Sequence, residues 1–242
     1  MKGQLTKSQV DRLGDRLRND LHNERDLKLL DGFRRSFHAA YEITVNAIRD
    51  RTKLEPTGRP AKSTTAIIEK LKRESIRLSQ VQDIAGCRIV VGTIIDQNQI
   101  VSSLANLFPN SDIVDRRLHP SHGYRGVHII VDVEGQSIEI QVRSMLQHLW
   151  AEMSEKLSDV IDPSIKYGGG EEYIQAERQE STRLIAEIED LELDIADLEK
   201  EEIDSNLKVK LENLRERIGQ IKRGLAEKFN ELNELFGINS KL

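Results

Sequence analysis

Residues 137–150 read SIEIQVRSMLQHLW and change from one hydrophobic period to another. In the first half, apolar residues alternate with polar ones, at Ile138, Ile140 and Val142. This alternation predicts a strand with one buried face, because successive side chains of a strand point to opposite sides. The other face carries an acid, an amide and a guanidinium, at Glu139, Gln141 and Arg143. After residue 144 the apolar spacing becomes helical, so we expect the strand to lead directly into a helix.

The polar face of this strand has two interpretations. A solvated face of an edge strand would show the same pattern, whereas a functional site would also need polar groups from other strands. Two further stretches supply such groups. VQDIAGCRIVVG (81–92) places an acid before a β-rich run, and HGYRGVHIIVDV (122–133) places an aromatic residue and a histidine on a turn before a strand. Three strands that bring polar side chains to one small sheet predict a site.

The composition excludes several classes of protein. Among 242 residues, 32% are charged and 4% aromatic, which suits a helix-rich fold, and the net charge of −5 gives no overall basic surface for nucleic acid. No apolar run approaches the roughly 18 residues of a membrane span, and the N-terminus lacks the apolar core of a secretory signal. We therefore expect a cytoplasmic protein without a membrane span. Cys87, within an apolar run, is expected to be a buried, reduced thiol.

In the N-terminal part, hydrophobic spacing predicts two helices over residues 5–50, with a break near Asp31–Gly32. Residues 54–60 are expected to form a loop. A helix follows, and its N-cap candidates are Ser63, Thr64 and Thr65. Basic residues beside such a helix start would suit a polyphosphate, because helix N-termini attract anions.

The central part is predicted to alternate strands and helices. The predicted strands are 83–91, 111–117, 127–133 and 137–143, with Glu134–Gly135 as the turn of a hairpin. The predicted helices are 96–107 and a second one from 145 to Pro163. The glycine triplet 168–170 is expected to be a flexible joint.

From residue 171 the apolar residues are spaced alternately four and three apart, and this rhythm resumes after residue 206. The spacing predicts an antiparallel helical hairpin or coiled coil with a reversal near 204–206. We therefore expect two domains, 1–170 and 171–242. The seam of the C-terminal domain would pack on itself, on a second copy of the chain in a homo-oligomer, or on another protein.

Several segments together resemble one protein family. DIAGCRIVV, HGYRGVH, IEIQVR and HLWAE, with GRPAKSTTAIIEKLKRE before them, resemble the RelA/SpoT-type (p)ppGpp synthetase domain. Within that family, the small alarmone synthetases and their toxin relatives are the nearest. The resemblance covers roughly residues 35–170. It implies an α+β fold, a nucleotidyltransferase-like mixed β-sheet flanked by helices, to which the C-terminal hairpin is appended.

The resemblance also implies an activity. Such a domain is an ATP-dependent GTP pyrophosphokinase, which transfers the β,γ-pyrophosphate of ATP to the 3′-hydroxyl of GDP or GTP and so makes the alarmone of the stringent response. By resemblance, Asp83 and Glu139 would hold Mg²⁺, a hard ion that prefers oxygen ligands. Glu139 would instead, or also, act as the base toward the attacking hydroxyl.

Other functional residues follow from the same resemblance. The residues that would bind ATP are Arg59 and Arg88 on the adenine and Lys62, Ser63 and Lys70 on the phosphates. Tyr124 would stack on the acceptor base. The residues placed around the acceptor are His128, Gln141 and Arg143.

The acceptor half departs from the family pattern. In HPSHGYRG the family's lysine before the turn is missing, Gly126 replaces a serine, and Glu155 stands where the family has a histidine. Two alternatives therefore stay open. One is a toxin-type enzyme that pyrophosphorylates the 3′-terminal adenosine of tRNA, held by a local basic patch. The residues of that patch would be Arg34, Arg35, Lys70, Lys72, Arg73, Arg116 and Arg117. The other alternative is a non-catalytic nucleotide-binding scaffold.

Overall fold

The computed structural model describes residues 5–200 and 204–235. The helices are α1 Lys7–Arg18, α2 Glu24–Arg35, α3 His38–Thr52, α4 Thr64–Glu74, α5 Ile94–Leu107, α6 Met145–Val160, α7 Glu172–Leu198 and α8 Ser205–Leu235. The strands are β1 Thr57–Arg59, β2 Ala85–Val91, β3 Asp112–Asp115, β4 Val127–Val133 and β5 Gln136–Ser144. Two short 3₁₀ turns are Leu78–Gln80 and Ile165–Tyr167. The predicted α+β fold, a mixed sheet flanked by helices, is confirmed.

The sheet has five strands in the order β1-β2-β5-β4-β3. β5 is the middle strand, and its alternating apolar side chains, Ile138, Ile140 and Val142, are fully buried. The turn between β4 and β5 has positive φ at Glu134 (55°) and at Gly135 (77°). Two successive positive φ angles define the hairpin turn whose twist matches the flanking strands. The predicted hairpin is therefore confirmed.

The transition from β5 to α6 also follows the prediction. Ser144 ends the strand and caps the helix, since its side chain accepts a hydrogen bond from the N–H of Gln147. In return, the Gln147 side chain accepts one from the N–H of Ser144 at 3.1 Å. This reciprocal capping box satisfies two backbone donors that would otherwise have no partner at the helix start.

The described chain forms two compact units. The first comprises residues 5–89, 102–114 and 128–141, and its interior includes Leu17, Leu30 and Ile67. The second comprises residues 90–101, 115–127, 142–200 and 204–235. Its core groups Trp150, Leu157, Ile165, Ile174, Ile185, Leu225 and Phe229. The predicted division at residue 170 stays a prediction.

The prediction of two N-terminal helices was wrong, since three helices lie within residues 7–52. Gly32 is inside α2, and nothing lies within 4 Å of the position a side chain would take there. Asp31 forms ion pairs with Arg34 and Arg35, one turn further along the same helix. Such pairs favour helix continuation at the position where the glycine suggested a break. The chain breaks instead at Ser36–Phe37.

The predicted loop at 54–60 contains the short edge strand β1, which pairs antiparallel with β2. All three of its residues are exposed, so no hydrophobic alternation marks it. Gly58 stands opposite Cys87, and a Cβ at Gly58 would lie 2.6 Å from the Cys87 Cα. The missing side chain thus allows a close approach that hydrophobic patterns do not reveal.

The glycine triplet is a hydrogen-bonded turn, which differs from the expected flexible joint. Gly168 (φ 87°) and Gly170 (φ 82°) adopt the left-handed conformation that glycine tolerates. The N–H of Gly169 donates to the Ser164 carbonyl at 3.0 Å, and the Gln175 amide donates to the Gly169 carbonyl at 2.5 Å. The triplet therefore fixes the start of α7.

Ion pairs between α7 and α8 show that the two helices run antiparallel. These pairs are Glu177–Lys228, Glu187–Arg217 and Glu199–Arg215. The hairpin agrees with the prediction, and the predicted reversal near 204–206 lies at the start of α8. Residues 201–203, just before it, lie outside the described residues. A coiled coil with a second chain stays a prediction. No described helix combines the length and apolarity needed to cross a bilayer.

Cys87 is 3% exposed, and burial raises the pKa of its thiol to about 12. Because the thiolate is the reactive form, we expect no thiol to react with a disulfide reagent in the native protein and one to react after denaturation in guanidinium. A spectrophotometric thiol titration measures this. Fast stoichiometric reaction of the native protein would contradict the assigned burial.

Candidate active site

Asp83 lies in the first unit, just before β2, between two lysines. Lys62 Nζ donates to Asp83 Oδ2 at 2.6 Å, and Lys70 Nζ donates to Oδ1 at 3.0 Å. Burial opposes ionisation of this carboxyl, but the two ammonium groups outweigh it and hold the pKa of Asp83 below its usual value. The cluster therefore presents an ionised carboxylate in cationic surroundings.

The segment before α4 positions these lysines. The N–H of Lys62 donates to the Ile84 carbonyl at 2.6 Å, which ties the segment to the approach to β2. Ser63, one of the three predicted N-cap candidates, is the N-cap of α4, since its Oγ accepts from the N–H of Ala66 at 3.2 Å. Arg34 of α2 supports the same segment by donating to the Lys62 carbonyl at 2.6 Å. The sequence assigned Arg34 only to a surface patch, and no local signal revealed this supporting contact.

Glu139 is the second of the two predicted metal-binding carboxylates, and it also lies in the first unit. Side chains of β4 and β5 contact it. Its Oε1 lies 2.9 Å from His128 Nδ1, and its Oε2 accepts from Gln141 Nε2 at 2.7 Å. Burial raises the pKa of Glu139, but the contacts with His128 and Gln141 prevail and hold it below its usual value. The charge of Asp83 acts on the pKa of Glu139 in the raising direction. The two carboxylates are therefore close enough for the charge of Asp83 to affect the pKa of Glu139.

A glycine on β2 allows β5 to approach closely at Glu139. A Cβ at Gly86 would lie 2.8 Å from the Glu139 carbonyl oxygen, which is shorter than real Cβ contacts. Only glycine fits there without a shift of one strand. Gly86 is thus a residue of the site that the sequence analysis missed, because the motif shows it only as one residue of a strand.

The donor set suits magnesium. Within residues 5–200 and 204–235, no group of three or more acidic, histidine or cysteine side chains could hold a metal by itself. Mg²⁺ is commonly bound by one or two carboxylates together with substrate phosphates, and it keeps several waters. The pair Asp83 and Glu139, with Lys62 and Lys70 beside it, fits an ion that arrives with a polyphosphate.

Arg59 and Arg88 lie on one face of the β1–β2 pair. The register places Arg59 opposite Gly86 and Arg88 opposite Thr57. Directly paired residues share a face, and so do residues two apart on a strand. The two arginines are therefore diagonal neighbours, which is compatible with their predicted position on either side of a flat base.

The predicted acceptor residues Tyr124 and Arg143 line a cavity of about 230 Å³ in the second unit. Arg143 Nε donates to the Tyr124 hydroxyl at 3.1 Å, and its guanidinium lies 5.0 Å from the ring centre. The charged residues that line the cavity are Arg143, Lys166, Arg178 and Glu155. His128 and Gln141, also predicted near the acceptor, contact Glu139 in the first unit, and their role at the acceptor stays a prediction.

Most residues of the proposed basic patch take part in ion pairs. The pairs are Arg34 and Arg35 with Asp31, Lys70 with Asp83, Lys72 with Asp20, Arg73 with Glu74, and Arg117 with Asp115. Acidic side chains therefore lie beside these cations and reduce the local positive potential that tRNA binding requires.

A family model described as "Region found in RelA / SpoT proteins" matches residues 58–158. This range contains both carboxylates, both lysines and Tyr124. Over these residues the chain is similar to RelA/SpoT proteins, which confirms the resemblance noted in the sequence.

Two solved structures are similar to this chain. The small alarmone synthetase 1 of Bacillus subtilis, solved with its product pppGpp, has a TM-score of 0.50 and 23% identity over 67% of this chain and 92% of that chain. A second structure of that protein has a TM-score of 0.51 and 22% identity over 74% of this chain and 100% of that chain. At these identities the likeness shows the fold.

Curated sequences match over shorter stretches. An uncharacterized protein of Mycobacterium tuberculosis is 36% identical over 120 residues, 48% of this chain and 44% of the relative. This chain thus matches less than half the length of that relative. A chloroplastic protein of Oryza sativa, named as a probable GTP diphosphokinase, is 35% identical over 95 residues, 38% of this chain and 13% of the relative.

Gly86→Ala tests the close approach of β2 and β5. We expect the free energy of unfolding to fall by about 1–3 kcal/mol, because the new methyl group overlaps the Glu139 carbonyl oxygen. Chemical denaturation measures the change. Gly32→Ala is the matched control, and we expect it to stabilise α2 by about 0.5–1 kcal/mol because its methyl group meets open space. Equal effects of the two substitutions would contradict the close approach.

Proposed function

We propose that this protein is an ATP-dependent pyrophosphokinase that transfers the β,γ-pyrophosphate of ATP to the 3′-hydroxyl of GDP or GTP. The observation that carries the proposal is the cluster of Asp83, Lys62 and Lys70, together with Glu139, whose pKa the charge of Asp83 influences. The match of residues 58–158 to the RelA/SpoT family supports it. The Bacillus synthetase was solved with pppGpp as its product, and we expect a product of the same class here.

In the donor half, Asp83 and Glu139 would hold Mg²⁺ with the ATP phosphates. The ion supplies charge neutralisation on the phosphate oxygens. Lys62 and Lys70 have their ammonium groups on Asp83 in this structure, and both can turn toward phosphate oxygens when ATP binds. Ser63 caps α4, so its neighbouring backbone N–H groups favour an anion. Arg59 and Arg88 would hold the adenine ring.

The pKa of Glu139 bears on its two proposed roles. A general base works best with a pKa near the working pH, whereas a metal ligand has to be ionised. Its contacts with His128 and Gln141 keep the carboxylate ionised at neutral pH. This favours Glu139 as a metal ligand that also accepts a hydrogen bond from the attacking hydroxyl.

The cavity of the second unit suits a guanine base. Tyr124 offers a ring on which a base can stack. Glu155 lines the same cavity. A guanine edge presents two adjacent N–H donors, which a carboxylate can accept together, whereas adenine presents a donor beside an acceptor. Glu155, the residue that departs from the family histidine, therefore favours guanosine over the terminal adenosine of tRNA.

Glu139→Gln and Asp83→Asn should each lower pyrophosphate transfer about a hundredfold or more, because each removes an anionic oxygen ligand from the proposed ion. The assay follows label from γ-labelled ATP with Mg²⁺ and, separately, GDP, GTP or deacylated tRNA. Glu134→Gln, at the exposed hairpin turn, is the matched control and should retain wild-type activity.

The acceptor that gains the label decides among the three hypotheses. Transfer to GDP or GTP supports the proposal. Transfer to tRNA would replace it with the toxin-type reaction, and transfer to none of them would favour a non-catalytic scaffold. Substantial residual transfer by Glu139→Gln would refute the role of Glu139.

Tyr124→Ala should raise KM for the guanosine nucleotide by roughly 5- to 150-fold, because stacking of one base on an aromatic ring contributes about 1–3 kcal/mol. Tyr124→Phe keeps the ring and loses only the hydroxyl that accepts from Arg143, so its loss should be smaller. Initial-rate kinetics with each substrate varied in turn separate the effects. An unchanged acceptor KM in Tyr124→Ala would exclude stacking at this residue.

A further inference from the structure

α7 contacts the turn that carries Tyr124 at three points. Arg178 Nη2 donates to the His122 carbonyl at 3.1 Å. Thr182 Oγ1 lies 2.9 Å from the carbonyl oxygens of both Gly123 and Arg178, and its single proton can be donated to either of them. On the other side of Tyr124, Arg125 donates to Glu189 Oε2 through Nε at 3.1 Å and through Nη2 at 2.5 Å. Both flanks of Tyr124 are thus attached to one helix that lies beyond the family match.

The three α7 residues share one helix face. Positions 178, 182 and 189 are separated by four and seven residues, which are spacings of about one and two turns. Arg178 and Glu189 are 2% and 3% exposed, so two charged groups are removed from water along this face. Burial of charge is unfavourable unless hydrogen bonds satisfy the group, so the partners of these residues matter.

Arg178 connects three segments of the second unit. Besides the His122 carbonyl, it donates through Nη1 to the Ile165 carbonyl at 2.5 Å and to Gln175 Oε1 at 2.7 Å. Its guanidinium lies 5.0 Å from the centre of the Trp150 ring. Among the described residues no carboxylate pairs with it, and its Nε has no hydrogen-bond partner. Burial lowers the pKa of Arg178 to about 10, so it is charged at neutral pH.

Glu189 connects the same turn to α6. Its Oε2 holds Arg125, while its Oε1 accepts from Gln147 Nε2 at 2.6 Å. Gln147 also caps the start of α6, directly after the strand that carries Arg143. Glu189 thus links the turn that carries Tyr124 to the helix that follows Arg143.

The turn itself has a backbone that needs support. His122 has a φ of 50°, which is unfavourable for a residue with a side chain, and Gly123 has a φ of 86°. A Cβ at Gly123 would lie 2.8 Å from both Thr182 Oγ1 and Trp150 Cζ2. The turn is therefore packed tightly against α6 and α7, which can stabilise its strained conformation.

We infer that α7 is a positioning element of the acceptor pocket, and that Arg178, Thr182 and Glu189 hold the 122–125 turn so that the Tyr124 ring is fixed for the acceptor base. This inference rests on the proposed function. None of the three residues needs to touch the reacting atoms, because they act through the turn. A helix that served only as packing would instead affect the whole fold.

The test uses Thr182→Val combined with Glu189→Gln in the full chain. Val is close in shape to Thr but cannot donate to the Gly123 carbonyl, and Gln removes the charge that holds Arg125. Hydrogen exchange of the substrate-free protein should accelerate in residues 121–126 relative to wild type. The KM for GDP or GTP should rise about tenfold, with the KM for ATP and kcat nearly unchanged.

The matched controls lie on the same helix. Glu187→Gln removes a carboxylate that pairs with Arg217 of α8 and not with the turn, so it should leave exchange in 121–126 and the acceptor KM unchanged. Thr182→Ser, with Glu189 intact, keeps the hydroxyl and should behave like wild type. The fluorescence of Trp150, the single tryptophan, gives a binding readout for GDP that is independent of turnover.

Local acceleration in 121–126 together with a raised acceptor KM supports the inference. Exchange equal to that of Glu187→Gln, or acceleration spread over the whole protein with a lower Tm, would overturn it. If no variant and no wild-type protein transfers label, yet exchange changes only in 121–126, the proposed reaction fails while the positioning of the turn by α7 is supported.

Discussion

The structure depends on the register of the central strand β5. Ile138, Ile140 and Val142 are fully buried on one side, and this fixes Glu139 and Gln141 on the other. Because side chains alternate along a strand, a slip by one residue would put the acid in the core and an isoleucine in its place. Hydrophobic burial of the isoleucines therefore determines on which face of the sheet the Glu139 carboxylate lies, although the buried side chains take no part in the proposed reaction.

The two candidate carboxylates of the first unit, Asp83 and Glu139, each have specific partners. Asp83 is compensated by Lys62 and Lys70, and Glu139 is compensated by its contacts with His128 and Gln141. Each carboxylate is thus kept ionised despite partial burial, since desolvation is outweighed by specific partners. Such an arrangement would suit the proposed Mg²⁺ with its anionic substrate, because lysines that pair with Asp83 can also pair with phosphate oxygens.

The C-terminal hairpin of α7 and α8 contacts the turn that carries Tyr124. Its outer ion pairs, such as Glu187–Arg217, are exposed and contribute little to stability. Its inner face presents buried Arg178 and Glu189, whose partners are in the turn beside Tyr124. Buried charges of this kind are strongly unfavourable without their partners, so we expect them to favour the observed arrangement of helix and turn.

The sequence by itself determined the elements whose signal is periodic and local: strands β4 and β5 with their hairpin, the capped start of α4, and the antiparallel pair α7 and α8. It also singled out Asp83, Glu139 and Lys62 through an ordered set of motifs. The helices and strands follow from alternation, capping and heptad spacing, each of which is readable within a short stretch, whereas the site residues follow from the family resemblance.

Only the tertiary structure decided the features that join distant segments. β1 carries no hydrophobic pattern and exists because its backbone pairs with β2, and Gly86 matters because β5 passes within a methyl group's distance. The support of Lys62 by Arg34, and of the Tyr124 turn by α7, joins residues 28 or more positions apart. The residues next to a side chain in the sequence indicate whether it will lie in a helix or a strand. Its contact partner from a distant segment is set by tertiary packing, which the local sequence does not encode.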